Sequence, residues 1–513
     1  MTEPVPPPAR PRLPLTALWA LMMLGVSTAL ILIEAPRFAV WPLDSYYYLS
    51  KAENLMRTGA LATPWAGLDS KFFPGYSVIL GPLSLLSRNG SWIAAMLAAL
   101  WVSALLIVKI GETLLRSHAA AWAAAALWAT HPVMLKWATV PMSEVTAITF
   151  ALGAVLCALR GIRRPRALWA LLAGIFSGMA ISTRAEMAAL AMPLGLLWIS
   201  RRRVSRPRWI AWGALGLVAG SAPLILWGLQ LWQAGRNLHY LGEAASHPID
   251  PQAWRHIHTA VYQVGFLGPV PSGVMAIDAW LLAVSCLTVA ALVLAFGGVL
   301  GAWAFGAALI FVAYLGAHSL WHYHYERFLV PLLPVAALLL AGAGAWWVEH
   351  GTRWRSLRAR VACACLVITT LCWLFYGRVL IRDHRYWLSQ GFPSSVAGTA
   401  AFVESQTPRG SLVFTDLGPT LAYHLDRSTV FTEAIPDFYP AAFEPEHTLD
   451  QIAARRPSAI VTRRSASEWF TAALVPPAAR QAFRTVSLQP QGAVLLIDHS
   501  RLRTDLESSD PAP

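Results

Sequence analysis

The chain has 513 residues, of which 56% are hydrophobic and only 13% charged, with a mean hydropathy of +0.50. A soluble domain is nearer a quarter charged, so an ordinary soluble protein is excluded and a polytopic membrane protein is indicated. The net charge of +13 reads as loop topology and not as nucleic-acid binding, because the basic runs fall between apolar spans.

Residues 1–14, "MTEPVPPPARPRLP", are Pro-rich and polar and read as a disordered cytoplasmic N-terminus. The apolar run from about Leu15 to Ile33 is long enough to span a bilayer, and no small-residue cleavage site follows it. It reads as a retained first helix. Apolar runs of similar length predict about eleven transmembrane helices, near 15–34, 91–108, 118–136, 141–159, 166–183, 185–200, 208–232, 276–297, 302–320, 327–348 and 361–381. Arg160, Arg163, Arg164 and Arg166 mark one inside loop. Arg201, Arg202, Arg203, Arg206 and Arg208 mark a second, and Arg353, Arg355, Arg358 and Arg360 a third. The N-terminus is therefore expected inside, and an odd helix number puts the C-terminus outside. The five cysteines, Cys157, Cys286, Cys363, Cys365 and Cys372, all fall in apolar spans and suggest neither a metal site nor a disulfide framework.

The expected outer loop 36–90 opens with "WPLDSYYYLSKAENLMRTG", Trp41–Gly59. Tyr48, Leu49, Ala52, Leu55 and Met56 fall at helical spacing, so an interfacial helix is predicted. Asp44 has two readings: an N-cap for that helix from Ser45, or a general base on an acceptor hydroxyl. Tyr46, Tyr47 and Tyr48 likewise read as an interfacial aromatic belt or as sugar-stacking rings. In "DSKFFPGYSVILGPLSLL", Lys71 is either a snorkelling side chain or a point charge for a lipid-linked phosphate.

Glu144 opens a helix after "PMS", where the helix dipole favours an acid. It also shares the outer side with Asp44, so a paired-carboxylate site is open. Arg184 in "STRAE" and Arg327 in "HYHYERFLVPLLP" are outer helix-end arginines, either anchors or phosphate ligands. His239, His247, His256 and His258 lie on a second long outer loop without metal-ligand spacing. Beyond residue 382, "GSLVFTD", "STVFTE", "SAIVTRR" and "AVLLID" predict short strands, and "LGPTLAYHL", "TLDQIAARR" and "ASEWFTAAL" predict helices. This is a small, partly parallel α/β domain. Gly410, Asp416 and Gly418 form no phosphate-loop pattern.

Taken in order, "LDSYYYLSKAENLMRTG", "KFFPGYSVILGPL", "PMSEVTAITFALGAVLCAL", "STRAEMAALAMPLGLLWI" and "YERFLVPLLPVAALLLA" resemble the GT-C glycosyltransferases. The branch is that of protein O-mannosyltransferases and lipid A aminoarabinose transferases. The resemblance implies a GT-C transmembrane domain at 15–381 and an extracytoplasmic α/β domain at 382–513. It implies an inverting transfer of a sugar from a polyprenyl-phosphate donor to a hydroxyl on a glycan, lipid or protein, in a bacterial inner membrane.

By the same resemblance, Asp44 is the catalytic carboxylate and Glu144 the second acid. Lys71, Arg184 and Arg327 would face the donor phosphate, and Tyr47, Tyr48, Tyr76 and Tyr325 would line the substrate. A divalent cation, Mg or Mn, is compatible with the family, but relatives often carry two adjacent acids where this chain has Asp44–Ser45. The competing classes are a transporter or flippase of a lipid-linked sugar and a non-catalytic envelope assembly protein. A transporter is expected to carry charged or broken segments near the bilayer midplane.

Overall fold

The computed structural model describes residues 15–63, 72–87, 90–164, 166–188, 206–235, 272–319, 326–350, 354–389, 396–408, 411–415, 417–425, 431–433, 456–462, 483–487 and 493–497. Lys71, Tyr325, the four loop histidines, residues 1–14, Gly410, Asp416 and the helices predicted at "TLDQIAARR" and "ASEWFTAAL" lie outside them.

The described chain is mainly α. α1 (Leu15–Glu34) leaves Leu18, Met22, Val26 and Ile33 exposed, a stripe that a bilayer covers. α2 (Leu43–Thr58), buried on every side from Ser45 to Ala52 where an interfacial helix with one buried face was expected, and α3 (Gly75–Ser84) follow. Next come α4 (Ser91–Leu114), α5 (His118–Thr130), α6 (Pro132–Ala138), α7 (Glu144–Arg163) and α8 (Ala167–Thr183). The second half holds α9 (Arg206–Gly220), α10 (Ala222–Gln233), α11 (Met275–Phe296), α12 (Ala302–Ser319), α13 (Leu333–Glu349) and α14 (Arg355–Ser389).

Among the described residues, six helices are long and apolar enough to cross a bilayer, and the α9–α10 pair makes a seventh if counted as one span bent by 58°. Of the remaining predicted spans, 166–183 and 302–320 contain single apolar helices too short to count, and three depart from a single helix. The stretch 118–136 is two helices because Pro132 lacks an N–H and holds His131 extended, at φ −59°, ψ 126°. The stretch 208–232 breaks at Ser221, just before Pro223. Of 185–200 only the 3-10 turn Ala185–Met187 is described.

Close helix contact depends on glycine. Gly174 and Gly178 of α8 face Gly216 and Gly220 of α9, and a Cβ on any of them would strike the opposing backbone. This small-xxx-small spacing lets two membrane helices touch without side chains between them. It fixes α8, whose C-terminal end carries Arg184.

The C-terminal region is α/β. α15 (Val396–Gln406) and α16 (Pro419–His424) accompany a five-stranded sheet of order β2-β1-β3-β5-β4. β1 (Leu412–Thr415) pairs parallel with β2 (Phe431–Glu433) and β3 (Ala459–Thr462). β5 (Ala493–Ile497) pairs antiparallel with β3 and with β4 (Phe483–Ser487), so the partly parallel expectation describes the sheet. β4 and α15 were not anticipated. Val40, from the segment before α2, is buried in this domain's core with Val396, Ala400, Val403 and Val413. The domain therefore sits on the same side of the helix bundle as α2.

Candidate active site

α2 starts at Leu43 after Pro42, and no side chain caps it. Asp44 lies inside its first turn, where the dipole favours an acid, so the N-cap reading is replaced. Its Oδ2 is 2.6 Å from Nη1 of Arg327, with the two side chains 18% and 15% exposed. Asp44 is thus a carboxylate on a cation at the edge of solvent.

The tyrosines behind it form no outward belt. Tyr46, Tyr47 and Tyr48 are all buried. The Tyr46 oxygen accepts the Trp41 N–H at 3.0 Å, Tyr47 packs on Phe72 with ring centres 4.4 Å apart, and Tyr48 meets Tyr76 edge-on at 5.4 Å. Burial pushes the Tyr48 phenol well above its usual range; Arg184 works against the shift and Asp44 adds to it. Burial does the same to Tyr76, with Glu144 adding to it, so both stay neutral phenols.

The "FFPGY" turn locks α3 against α8. A Cβ on Gly75 would lie 2.6 Å from the Ser182 carbonyl carbon and oxygen and 2.7 Å from the Thr183 nitrogen. Only glycine permits that approach, two residues before Arg184, and it sets the buried Tyr76 there. Lys51, fully buried, donates to the Phe72 carbonyl and lies 5.2 Å from the centre of the Trp227 ring. It anchors the backbone immediately after Lys71.

Glu144, fully buried at the start of α7, accepts from Arg184 Nη1 at 2.5 Å. The same Nη1 reaches Ser143 Oγ at 3.4 Å, and Arg184 Nε donates to Glu186. Ser143 Oγ in turn donates to Tyr48 Oη at 3.3 Å. Burial opposes the charge on Arg184, but Glu144 and Glu186 outweigh it and hold the guanidinium charged. The two acid–arginine pairs share one ring: Phe328 is 5.1 Å from Arg327 Cζ and 5.4 Å from Arg184 Cζ.

Sequence reasoning named Asp44, Glu144, Arg184, Arg327, Tyr48 and Tyr76, which the structure brings into one neighbourhood. It missed Ser143, Glu186 and Phe328, which join the pairs, and Trp137, over which Arg327 also lies at 5.9 Å. The adjacency of Arg327 and Phe328 was the available signal. Among the described residues no three His, Cys, Asp or Glu side chains come together as a metal site. Asp44 and Glu144 each pair with an arginine, so each carboxylate has a cation beside it.

Residues 74–227 match the family model described as dolichyl-phosphate-mannose-protein mannosyltransferase, a segment that holds Tyr76, Glu144 and Arg184. A comparison with curated protein sequences finds no match. Among solved structures the chain resembles ArnT from Cupriavidus metallidurans in the apo state, at 13% identity and TM-score 0.64, over 95% of this chain and 99% of that one. The same protein bound to undecaprenyl phosphate gives 13% and 0.62, over 94% and 99%. Archaeal oligosaccharyltransferase AglB from Archaeoglobus fulgidus, in complex with an inhibitory peptide and a dolichol-phosphate, gives 10% and 0.53, over 94% and 74%. The chain thus has the fold of the GT-C membrane glycosyltransferases, and residues 74–227 carry a match to one of their family models.

Proposed function

We propose that the chain transfers a sugar from a polyprenyl-phosphate donor to an acceptor hydroxyl, with inversion, on the extracytoplasmic face of a bacterial inner membrane. The observation that carries this reading is the Asp44–Arg327 pair: a carboxylate and a cation, both reachable, at the outer end of a sealed aromatic core. Solved neighbours that bind undecaprenyl phosphate or a dolichol-phosphate support the donor class.

In the reaction, the acceptor oxygen forms a bond to the anomeric carbon as the bond from that carbon to the phosphate oxygen breaks. The bonding pair leaves with the phosphate, whose charge rises, and Asp44 takes the acceptor proton. Arg327 orients Asp44 and faces the growing phosphate charge. Glu144 acts through Arg184, and Tyr47, Tyr48 and Tyr76 shape the wall behind them. Lys71 and Tyr325 are further donor contacts in this reading.

The test uses membranes supplied with radiolabelled polyprenyl-phosphate sugars, comparing the wild type with Asp44→Asn. Transfer by the wild type and none by the variant is expected. Movement of the intact lipid-linked sugar across the bilayer without glycosidic cleavage would instead identify a flippase.

A further inference from the structure

One face of α14 changes character along its length. Ile368, Leu371 and Phe375 are exposed and apolar, and Arg378, Arg382 and Tyr386 continue the same stripe at intervals of three and four residues. Residues 361–377 hold no charge, which is about 26 Å of helix, close to the thickness of a bilayer's hydrocarbon core. The apolar part of the stripe therefore meets acyl chains, and Arg378 and Arg382 stand where the headgroups begin. Tyr386 and Trp387, both exposed, lie about one turn further, at the level that interfacial aromatics favour.

Glu34, the last residue of α1, organises these arginines. It is 1% exposed, and its carboxylate accepts from Arg37 Nη1 and Arg385 Nη1, each at 3.0 Å, with Arg378 Nε 3.8 Å away. Arg37 and Arg378 are nevertheless 52% and 56% exposed, so a buried acid positions guanidiniums that also face the surroundings. Each guanidinium offers about five N–H donors, against about four acceptor positions on the one carboxylate. Arg37, Arg378, Arg382 and Arg385 outnumber the acids among them, Glu34 and Asp383, by two charges. A snorkelling arginine needs no such acid, because it has only to reach water. The chain leaves α1 through the 3-10 turn Ala35–Arg37 and enters α2 at Leu43, so the patch lies at the Asp44 end of the bundle.

We propose that Arg37, Arg378, Arg382 and Arg385 form a binding site for the headgroup of an anionic phospholipid, whose acyl chains lie along Phe375, Leu371 and Ile368. The planar guanidinium fork matches a phosphate with two parallel hydrogen bonds, which a lysine ammonium does not. A zwitterionic lipid brings its own cation to the same place, so the site selects for net negative charge. A soluble anion would leave the adjoining apolar stripe uncovered. The bound lipid would tie α14 to the turn between α1 and α2. The site is separate from the Asp44–Arg327 pair and holds whether or not the chain transfers a sugar.

The experiment places a photo-crosslinking benzoylphenylalanine at Phe375, about one turn before Arg378, in the full chain. The chain is held in nanodiscs of equal parts phosphatidylglycerol and phosphatidylcholine, and the mass of the adduct shows which lipid was captured. With all four arginines present, phosphatidylglycerol should be captured over phosphatidylcholine by about tenfold. Arg378→Gln with Arg382→Gln should bring the two lipids close to equal capture, with Tm unchanged because both side chains are exposed. Arg378→Lys with Arg382→Lys keeps the charge and should keep a preference for phosphatidylglycerol. Equal capture with all four arginines present, or a preference that survives the Gln double variant, overturns the site. Loss of the preference on adding inorganic phosphate would assign a soluble anion and overturn the lipid.

Discussion

Tyr423 of the C-terminal domain donates its hydroxyl to Glu53 of α2 across 3.1 Å. The same ring packs on Tyr46, with centres 5.6 Å apart, and on Trp41 at 6.0 Å. The C-terminal domain thus braces the helix that carries Asp44, nine residues before Glu53. Tyr423→Phe removes only the hydrogen bond and should cost about 1 kcal/mol. Tyr423→Ala removes a buried ring and should cost about 3–5 kcal/mol, with a loss of transfer beyond what unfolding explains. Thermal unfolding and transfer, measured side by side, check the difference.

The domain and Asp44 share one side of the bundle, because Val40 belongs to the domain's core. On the proposed orientation, with that shared side extracytoplasmic, reporter fusions at residue 390 should be active only in an extracytoplasmic assay. A reporter that works there only in the cytoplasm would reverse the assigned orientation.

Gly75 leaves no room for a Cβ between its turn and the α8 backbone. Gly75→Ala should lower stability by about 1–3 kcal/mol, because backbone atoms and not a flexible side chain must give way. It should also reduce transfer by shifting Tyr76 and Arg184. Gly228, with open space around its Cβ position, is the control: Gly228→Ala should leave Tm within a degree or two of the wild type or raise it.

The site was legible to the extent that it depended on charge in apolar sequence. Asp44, Glu144, Arg184 and Arg327 stand out because isolated charges beside membrane helices are costly and rarely idle. What joins them was not legible. Phe328 between the two arginines, Ser143 between Tyr48 and Arg184, and the Trp137 cluster depend on which helix faces meet. Periodicity within one helix carries no such information. The helix breaks at Pro132 and Ser221 were signalled by proline, yet hydropathy summed over a window hides them. β4 was missed because "FRTVS" is short and half polar.

Glu144 and Asp44 should separate by their burial. Glu144 is sealed against Arg184, so Glu144→Gln leaves a buried guanidinium short of one anion and should cost about 3–5 kcal/mol. Its effect on transfer should follow from displaced Arg184, and Tm should fall with activity. A variant that keeps the wild-type Tm but loses transfer would instead make Glu144 a direct participant.

Asp44 requires a two-variant test because it is both an ion-pair partner and the assigned base. Asp44→Asn keeps the shape but leaves Arg327 without its carboxylate, at about 1–3 kcal/mol for a partly buried pair. Loss of activity in that variant alone is therefore ambiguous. The double variant, Asp44→Asn with Arg327→Gln, removes the uncompensated charge and should recover most of the lost stability. It still has no group to accept the acceptor's proton. Transfer should stay about a hundred- to ten-thousand-fold below wild type in both, the range attributed to a positioned base. Tm and turnover of the purified variants, measured together, distinguish the two roles. Recovery of turnover along with Tm in the double variant would reduce Asp44 to a structural partner of Arg327 and remove it from the chemistry.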